Sequence, residues 1–224
     1  PALASPGDTV QCDVLATDSD GATDTGTASI VVGNRDPALV DIAISPTPVT
    51  TSTEALCTAT GEDPDGDALD IAYAWTDSTG AALGSLAPLA LDPAAIQPGE
   101  VLTCTATITD AQGASITATA TATVENTAPE FTSIAIPPEV PVSGGTSECA
   151  AVAEDADGET PVLAYAWSLN GALAGTGTTL ALPTLVTGDV IGCEPTATDG
   201  YGGTATATAS GEVTNTAPVV DSVT

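Results

Sequence analysis

Positive charge is almost missing from this chain. Its 224 residues hold one Lys or Arg, which is Arg35, against 30 Asp and Glu, and the formal net charge is −29. Nucleic acids and anionic membrane surfaces are gripped by Lys and Arg that neutralise phosphates, so both are excluded as partners. Histidine is absent as well. General acid–base chemistry uses His first and then carboxylates or Lys, and a Ser or Cys nucleophile needs such a neighbour for activation, so the usual triads cannot be assembled. A carboxylate pair of the glycosidase kind stays formally open, but aromatic residues, on which sugars stack, are only 3% of the chain. The sequence is read as non-enzymatic. Methionine is also absent, no apolar run approaches a membrane span, and no signal peptide opens the chain at Pro1. A mature segment, or a window of something longer, is expected, with no insertion into a membrane.

What is present points to a light but real core. Hydrophobic residues are 42% of the chain, which argues against simple acidic disorder, although many are alanine. Five cysteines with no histidine make a poor zinc set, and their spacing suits an oxidising, extracellular compartment.

Self-similarity dominates the chain. Gly7-Asp8-Thr9-Val10-Gln11-Cys12 matches Gly99-Glu100-Val101-Leu102-Thr103-Cys104 and Gly188-Asp189-Val190-Ile191-Gly192-Cys193. Cys104 lies 92 residues after Cys12, Cys149 lies 92 after Cys57, and Cys193 lies 89 after Cys104. A unit of that length is the size of a small β-sandwich. Boundaries fall at Asn34-Arg35-Asp36-Pro37, Asn126-Thr127-Ala128-Pro129 and Asn215-Thr216-Ala217-Pro218, each a polar stretch closed by a proline that stops a strand. The expected layout is the back half of a repeat over 1–36, complete repeats over 37–128 and 129–217, and the first strand of another over 218–224.

Within a repeat the hydrophobic period is two, which means strands with one buried face. Ile71, Tyr73 and Trp75 fall on one face, as do Leu163, Tyr165 and Trp167. From Ile116 to Val124 alanine and threonine alternate, so Ile116, Ala118, Ala120, Ala122 and Val124 should face inward. Seven strands are expected in the first complete repeat, near residues 40–45, 54–60, 70–77, 81–83, 89–92, 101–109 and 115–124.

The order Cys57, Trp75, Cys104 and its repetition as Cys149, Trp167, Cys193, with each Trp 18 residues after the first Cys, resembles the immunoglobulin fold. Leu102 and Ile191 stand where a tyrosine corner would place Tyr, so an antibody-type domain is not expected. The chain is more similar to the bacterial immunoglobulin-like and polycystic-kidney-disease-like repeats of large secreted or surface proteins, whose units often end in an N-T-A-P-like joint. That resemblance implies an all-β fold of tandem immunoglobulin-like β-sandwiches in a linear array. It implies structural, adhesive or spacer roles and carries over no catalytic residue. It also implies that Cys57 pairs with Cys104 and Cys149 with Cys193, which leaves Cys12 to a partner outside this segment. The plain alternative is that each cysteine is a small buried thiol.

Acidic residues cluster in two loops. One reads Glu62-Asp63-Pro64-Asp65-Gly66-Asp67 and, a repeat later, Glu154-Asp155-Ala156-Asp157-Gly158-Glu159; the other supplies Asp110 and Asp199. In an immunoglobulin-like sandwich these loops share one end with the entering linker. Ca²⁺ takes roughly six to eight oxygen ligands, and Asp-x-Asp-Gly offers two carboxylates and a glycine that lets the loop curl. Asp63, Asp65, Asp67 and Asp110, and then Asn126, Asp155, Asp157, Glu159 and Asp199, are the candidate ligands. Against this stands the simpler reading that Asp and Gly are turn residues and that acidic loops keep a protein soluble. No Asn-x-Ser/Thr sequon occurs, so N-glycosylation is not expected.

The functional expectation is a segment of a long extracellular, bacterial array acting as fibre, stalk or surface spacer, with Ca²⁺ at its joints. Its partners would be neighbouring repeats of the same or identical chains, with fibre assembly open. An adhesin, or a carbohydrate- or protein-binding module, is the alternative. The two Asp-rich loops are alike and the aromatics lie mainly on the inward strand, whereas a binder needs unlike, aromatic-rich loops.

Overall fold

The computed structural model describes residues 4–215, so the strand expected over 218–224 lies outside the described residues. The fold is all-β, and no helix among the described residues could cross a membrane. By contact the chain divides into two compact units. The first takes residues through Val49 with Thr53–Ala90 and Glu100–Thr123; the second takes Thr50–Ser52, Leu91–Gly99 and residues from Val124 onward.

The first unit opens with a hairpin of β1 (Thr9–Thr17) and β2 (Thr23–Val31), in which Cys12 stands opposite Ala28. Every residue of both strands is exposed, Val10, Leu15 and Ile30 included. There follow β3 (Ala38–Ser45), β4 (Val49–Thr50), β5 (Glu54–Glu62), β6 (Asp70–Thr76), β7 (Ala82–Gly84), β8 (Pro88–Ala90), β9 (Val101–Thr109) and β10 (Ser115–Glu125). They form two antiparallel sheets, in the orders β3-β5-β8 and β4-β10-β9-β6-β7. Strict alternation on β5 and β9 buries Ala55, Cys57 and Ala59 against Leu102, Cys104, Ala106 and Ile108. On β10 the alanines are half-buried while the threonines between them are exposed.

One element departs from the sequence expectation. Where seven strands are expected, eight form, because β4 is a separate short strand. Proline has no N–H to give a ladder. Pro46 and Pro48 therefore end β3 in one sheet, and the chain resumes as β4 beside β10 in the other.

The second unit contains β11 (Glu130–Ala135), β12 (Thr146–Glu148), β13 (Ala150–Glu154), β14 (Val162–Leu169), β15 (Ala172–Thr176), β16 (Thr179–Ala181), β17 (Val190–Thr198), β18 (Thr204–Thr206) and β19 (Ala209–Glu212). Strands β11 and β13 pair, as do β12 and β16, and a larger sheet runs β15-β14-β17-β18 with β19 also on β17. Its core gathers Ile136, Cys149, Trp167, Leu180, Leu182, Leu185, Ile191, Cys193 and Val213. Where the first unit has the unbroken β10, the second has two pieces, and Pro195 accounts for it. Its carbonyl accepts from Ala207 N at 3.2 Å, and in an antiparallel strand the missing N–H points the same way, so the ladder is cut at that edge.

Both units hold a disulfide, the first between two sheets and the second from Cys149, between β12 and β13, to β17. Cys57 on β5 is bonded to Cys104 on β9 with Cα atoms 6.4 Å apart, and Cys149 is bonded to Cys193 on β17 with Cα atoms 6.2 Å apart. The register places Trp75 directly opposite Cys104 and Trp167 opposite Cys193, so each tryptophan packs beside the bridge. Both rings are buried, and burial requires a partner for the indole N–H. Trp75 Nε1 donates to Leu86 O and Trp167 Nε1 to Gly177 O, each at 2.8 Å. Cys12 is an exposed free thiol.

Candidate functional site

The Asp-x-Asp-Gly loop follows β5 in the first unit and β13 in the second. In the first, Asp63 Oδ1 accepts from Asp65 N at 2.7 Å, and Gly66, at φ +82°, turns the chain back through a conformation that side chains resist. In the second, Asp155 Oδ1 accepts from Asp157 N at 2.8 Å. The loop after β9 or β17 is closed by its own aspartate. Asp110 Oδ1 accepts from Gln112 N at 2.9 Å and Ala114 N at 2.8 Å, and Asp199 Oδ1 accepts from Tyr201 N at 2.9 Å and Gly203 N at 2.7 Å.

The polar segment that leads into each sandwich is tied to both loops by the same bonds. Asn34 Nδ2 donates to Asp110 Oδ2 at 2.7 Å and Arg35 N to Asp65 Oδ2 at 2.8 Å. Asn126 Nδ2 donates to Asp199 Oδ2 at 2.9 Å and Thr127 N to Asp157 Oδ2 at 2.7 Å. Sequence reasoning had Asn126 among its candidates but not Asn34, which stands 92 residues earlier; carrying the repeat offset through the linker would have found it. Arg35, Thr51 and Thr127 carried no signal as single residues. Thr51 Oγ1 donates to Asp157 Oδ1, and Asp157 is buried.

Of the candidate ligands, carboxylate oxygens of Asp63, Asp65 and Asp67 lie within 4.8 Å of one another, and so do those of Asp155, Glu159 and Asp199. Asp110 stands outside the first cluster with its oxygens engaged by Asn34 and backbone, and Asp157 stands outside the second, engaged by Thr51 and Thr127. Within and beside the clusters, buried oxygens are left with no hydrogen-bond partner: Asp63 Oδ2 and Asp67 Oδ2 in one, Asp155 Oδ2, Glu159 Oε2 and the neighbouring Asn126 Oδ1 and Thr127 Oγ1 in the other. Such atoms are expensive to leave unpaired, and carboxylate oxygens can take no donor from one another when ionised. The donors are all oxygen, which suits a hard cation and not zinc.

Electrostatics separate the two loops. Burial pushes the Asp155 carboxyl up, with the charges of Asp157 and Asp199 acting the same way against the pull of the Asp157 N–H. Burial likewise raises Glu159, joined by the charges of Asp199, Asp155 and Asp157. Asp199 is lowered, chiefly by the Asn126 amide, and Asp110 by the Asn34 amide. Asp65 is lowered by the Arg35 side chain and then by its backbone N–H.

No protein family and no curated protein matches the chain. Among solved structures, extracellular cadherin domains 3–6 of protocadherin gamma B2 are 12% identical over 92% of this chain and 56% of that one, with a TM-score of 0.34. A 1.5-MDa bacterial ice-binding adhesin, solved for its retention at a host cell surface, is 15% identical over 92% of this chain and 74% of that one, at 0.34. A tetra-tandem repeat from the extending region of a large adhesion protein is 19% identical over 92% of this chain and 56% of that one, at 0.35. At these scores the likeness carries no argument about function. The chain spans 56% and 46% of the first two protocadherin structures it matches.

Proposed function

We propose that this chain is a stretch of an extracellular array of immunoglobulin-like repeats, acting as a fibre, stalk or surface spacer, in which Ca²⁺ held by each Asp-rich loop stiffens the segment leading into that repeat. Residues 37–128 and 129–217 are taken as complete repeats, and 1–36 as the last two strands of another. That last assignment rests on register: Cys12 opposite Ala28 in the first hairpin repeats Cys104 opposite Ala120 in β9–β10. By the same equivalence Cys12 takes a partner outside this segment. The two disulfides suit an oxidising, extracellular location.

One observation carries the calcium reading: the same segment-to-loop hydrogen bonds recur in both units, beside buried carboxylate oxygens that have no donor. Asp63, Asp65 and Asp67 would hold the ion in the first loop, and Asp155, Glu159, Asp199 and Asn126 in the second. A divalent cation supplies the positive charge those oxygens lack, and because Arg35 N hangs on Asp65 and Asn126 on Asp199, fixing those carboxylates fixes the linker. Repeating sandwiches held this way present the same loops over and over, as a spacer requires. Aromatic platforms for a ligand are scarce, at 3% of the chain.

The test is thermal unfolding of the full chain in EDTA and in millimolar Ca²⁺. Binding to the folded state alone should add about 2.7 kcal/mol per site at a hundredfold excess over Kd. A melting temperature that ignores both EDTA and Ca²⁺ would overturn the reading.

A further inference from the structure

We propose that Arg35 is a built-in counter-cation of the first Asp-rich loop, so that the two loops, alike in sequence, differ in their need for a divalent ion: the second takes Ca²⁺ at low concentration and the first only weakly. The inference deepens the calcium reading and rests on it.

The two loops align residue on residue in the repeat, and only one of the exchanges between them, Arg35 for Thr127, adds or removes a positive charge. Asp63, Asp65 and Asp67 correspond to Asp155, Asp157 and Glu159, and Asn34 corresponds to Asn126, all at an offset of 92; at that offset Arg35 corresponds to Thr127. The backbone N–H of both residues performs the same task on Asp65 and Asp157. Only Arg35 adds a side-chain charge. Its Nε and Nη2 reach Asp65 Oδ1 at 2.8 and 2.7 Å, and Nη2 also donates to Pro64 O, so the guanidinium grips the loop by a carboxylate and by backbone. The first loop thus already holds a cation, and that cation occupies one of the three carboxylates clustered there.

The second loop has no such relief. No other Lys or Arg exists in the chain, so no side chain can play the part of Arg35 there. Four carboxylates surround it, Asp155, Asp157, Glu159 and Asp199, and four buried oxygens there lack a partner, Asp155 Oδ2, Glu159 Oε2, Asn126 Oδ1 and Thr127 Oγ1; the first loop leaves two, Asp63 Oδ2 and Asp67 Oδ2. A divalent ion approaching the first loop meets a fixed positive charge and must compete for Asp65; an ion approaching the second competes only with neutral N–H donors, among them those of Asn126, Gly200, Tyr201 and Gly203. The Coulomb cost of one extra positive charge a few ångströms from a divalent ion, at the dielectric of a protein surface, corresponds to about tenfold or more in affinity.

The experiment is calorimetric titration of the full chain with CaCl₂. E159Q weakens the second loop and exposes the first; R35T, in that background, gives the first loop the residue of the second, and R35K keeps the charge while losing the fork. The expected result is weak binding in E159Q, at least tenfold tighter binding in R35T/E159Q, and binding in R35K/E159Q close to E159Q. Arg35 is 62% exposed at its side chain, so its replacement should leave the fold intact, which circular dichroism checks. If the wild-type chain binds two ions with equal affinity, or if R35T leaves the first-loop affinity unchanged while the second loop binds, the proposal falls and the calcium reading stands. If neither loop binds Ca²⁺ in any variant, both fall.

Discussion

Single residues at the acidic loops act through their neighbours. Gly203 is the sharpest case: a Cβ there would collide with Asp199 Oδ2, stand 2.7 Å from Asn126 Nδ2 and 3.1 Å from Ala128 Cα. Gly203→Ala should therefore cost roughly 1–3 kcal/mol, read by urea denaturation, and should weaken Ca²⁺ binding at the second loop with it; an unchanged midpoint would contradict the packing. Protonation gives a second prediction. Asp155 and Glu159 are raised above their ordinary values of 3.8 and 4.5. A carboxyl raised on folding favours the folded state below its ordinary value and withdraws that help as pH climbs through its raised value. In EDTA, D155N/E159Q should lose this part of the pH slope, gaining relative to wild type between the acid range and neutrality. Asp65, Asp110 and Asp199 have the opposite sign: lowered on folding, they stabilise at neutral pH and lose that contribution as acid protonates them. A variant whose stability tracks wild type at every pH would contradict the assignment.

At the scale of the element, each sandwich depends on its bridge. Alanine dominates the inward positions of β10 and shares those of β5 and β9, and small side chains bury little area. Closing 47 residues between Cys57 and Cys104 stabilises by roughly 4 kcal/mol in the chain-entropy account. C57A/C104A should lose most of that in guanidinium titration, and a loss below about 1 kcal/mol would assign the stability to packing alone. The alternating pattern of β9 and β10 was legible in sequence because one face is wet and the other dry. The change of sheet at Pro46 and Pro48 was not, since a two-residue strand has no period to detect. Pro195 hid in the same way: its effect on the β18–β19 edge depends on which neighbour its missing N–H faces, and that is a matter of register.

For the whole molecule, the hairpin β1–β2 poses the plainest question. Its strands are exposed throughout, and a two-stranded sheet is marginal by itself. If residues 1–36 complete a repeat supplied from elsewhere, Cys12 should alkylate readily in this segment and resist alkylation in a chain that carries the partner strands. A free Cys12 thiol in that longer chain would refute the assignment. The net charge of −29 acts at the same scale, since self-repulsion is relieved wherever carboxylates find a cation.

The sequence by itself determined the repeat, the all-β class, the Cys–Trp–Cys order and the placing of acid in matched loops, because each is written as a period or a spacing along the chain. Tertiary structure decided which of those acids stand together. Asp110 and Asp157 look equal to their neighbours in sequence, yet they spend their oxygens on Asn34, Thr51, Thr127 and backbone N–H groups, whereas Asp63, Asp67, Asp155 and Glu159 keep buried oxygens without donors. The role of Arg35 was decided there too. One cation among 30 acids could meet any of them, and only the fold, by hanging the linker on Asp65, brings its guanidinium to that loop.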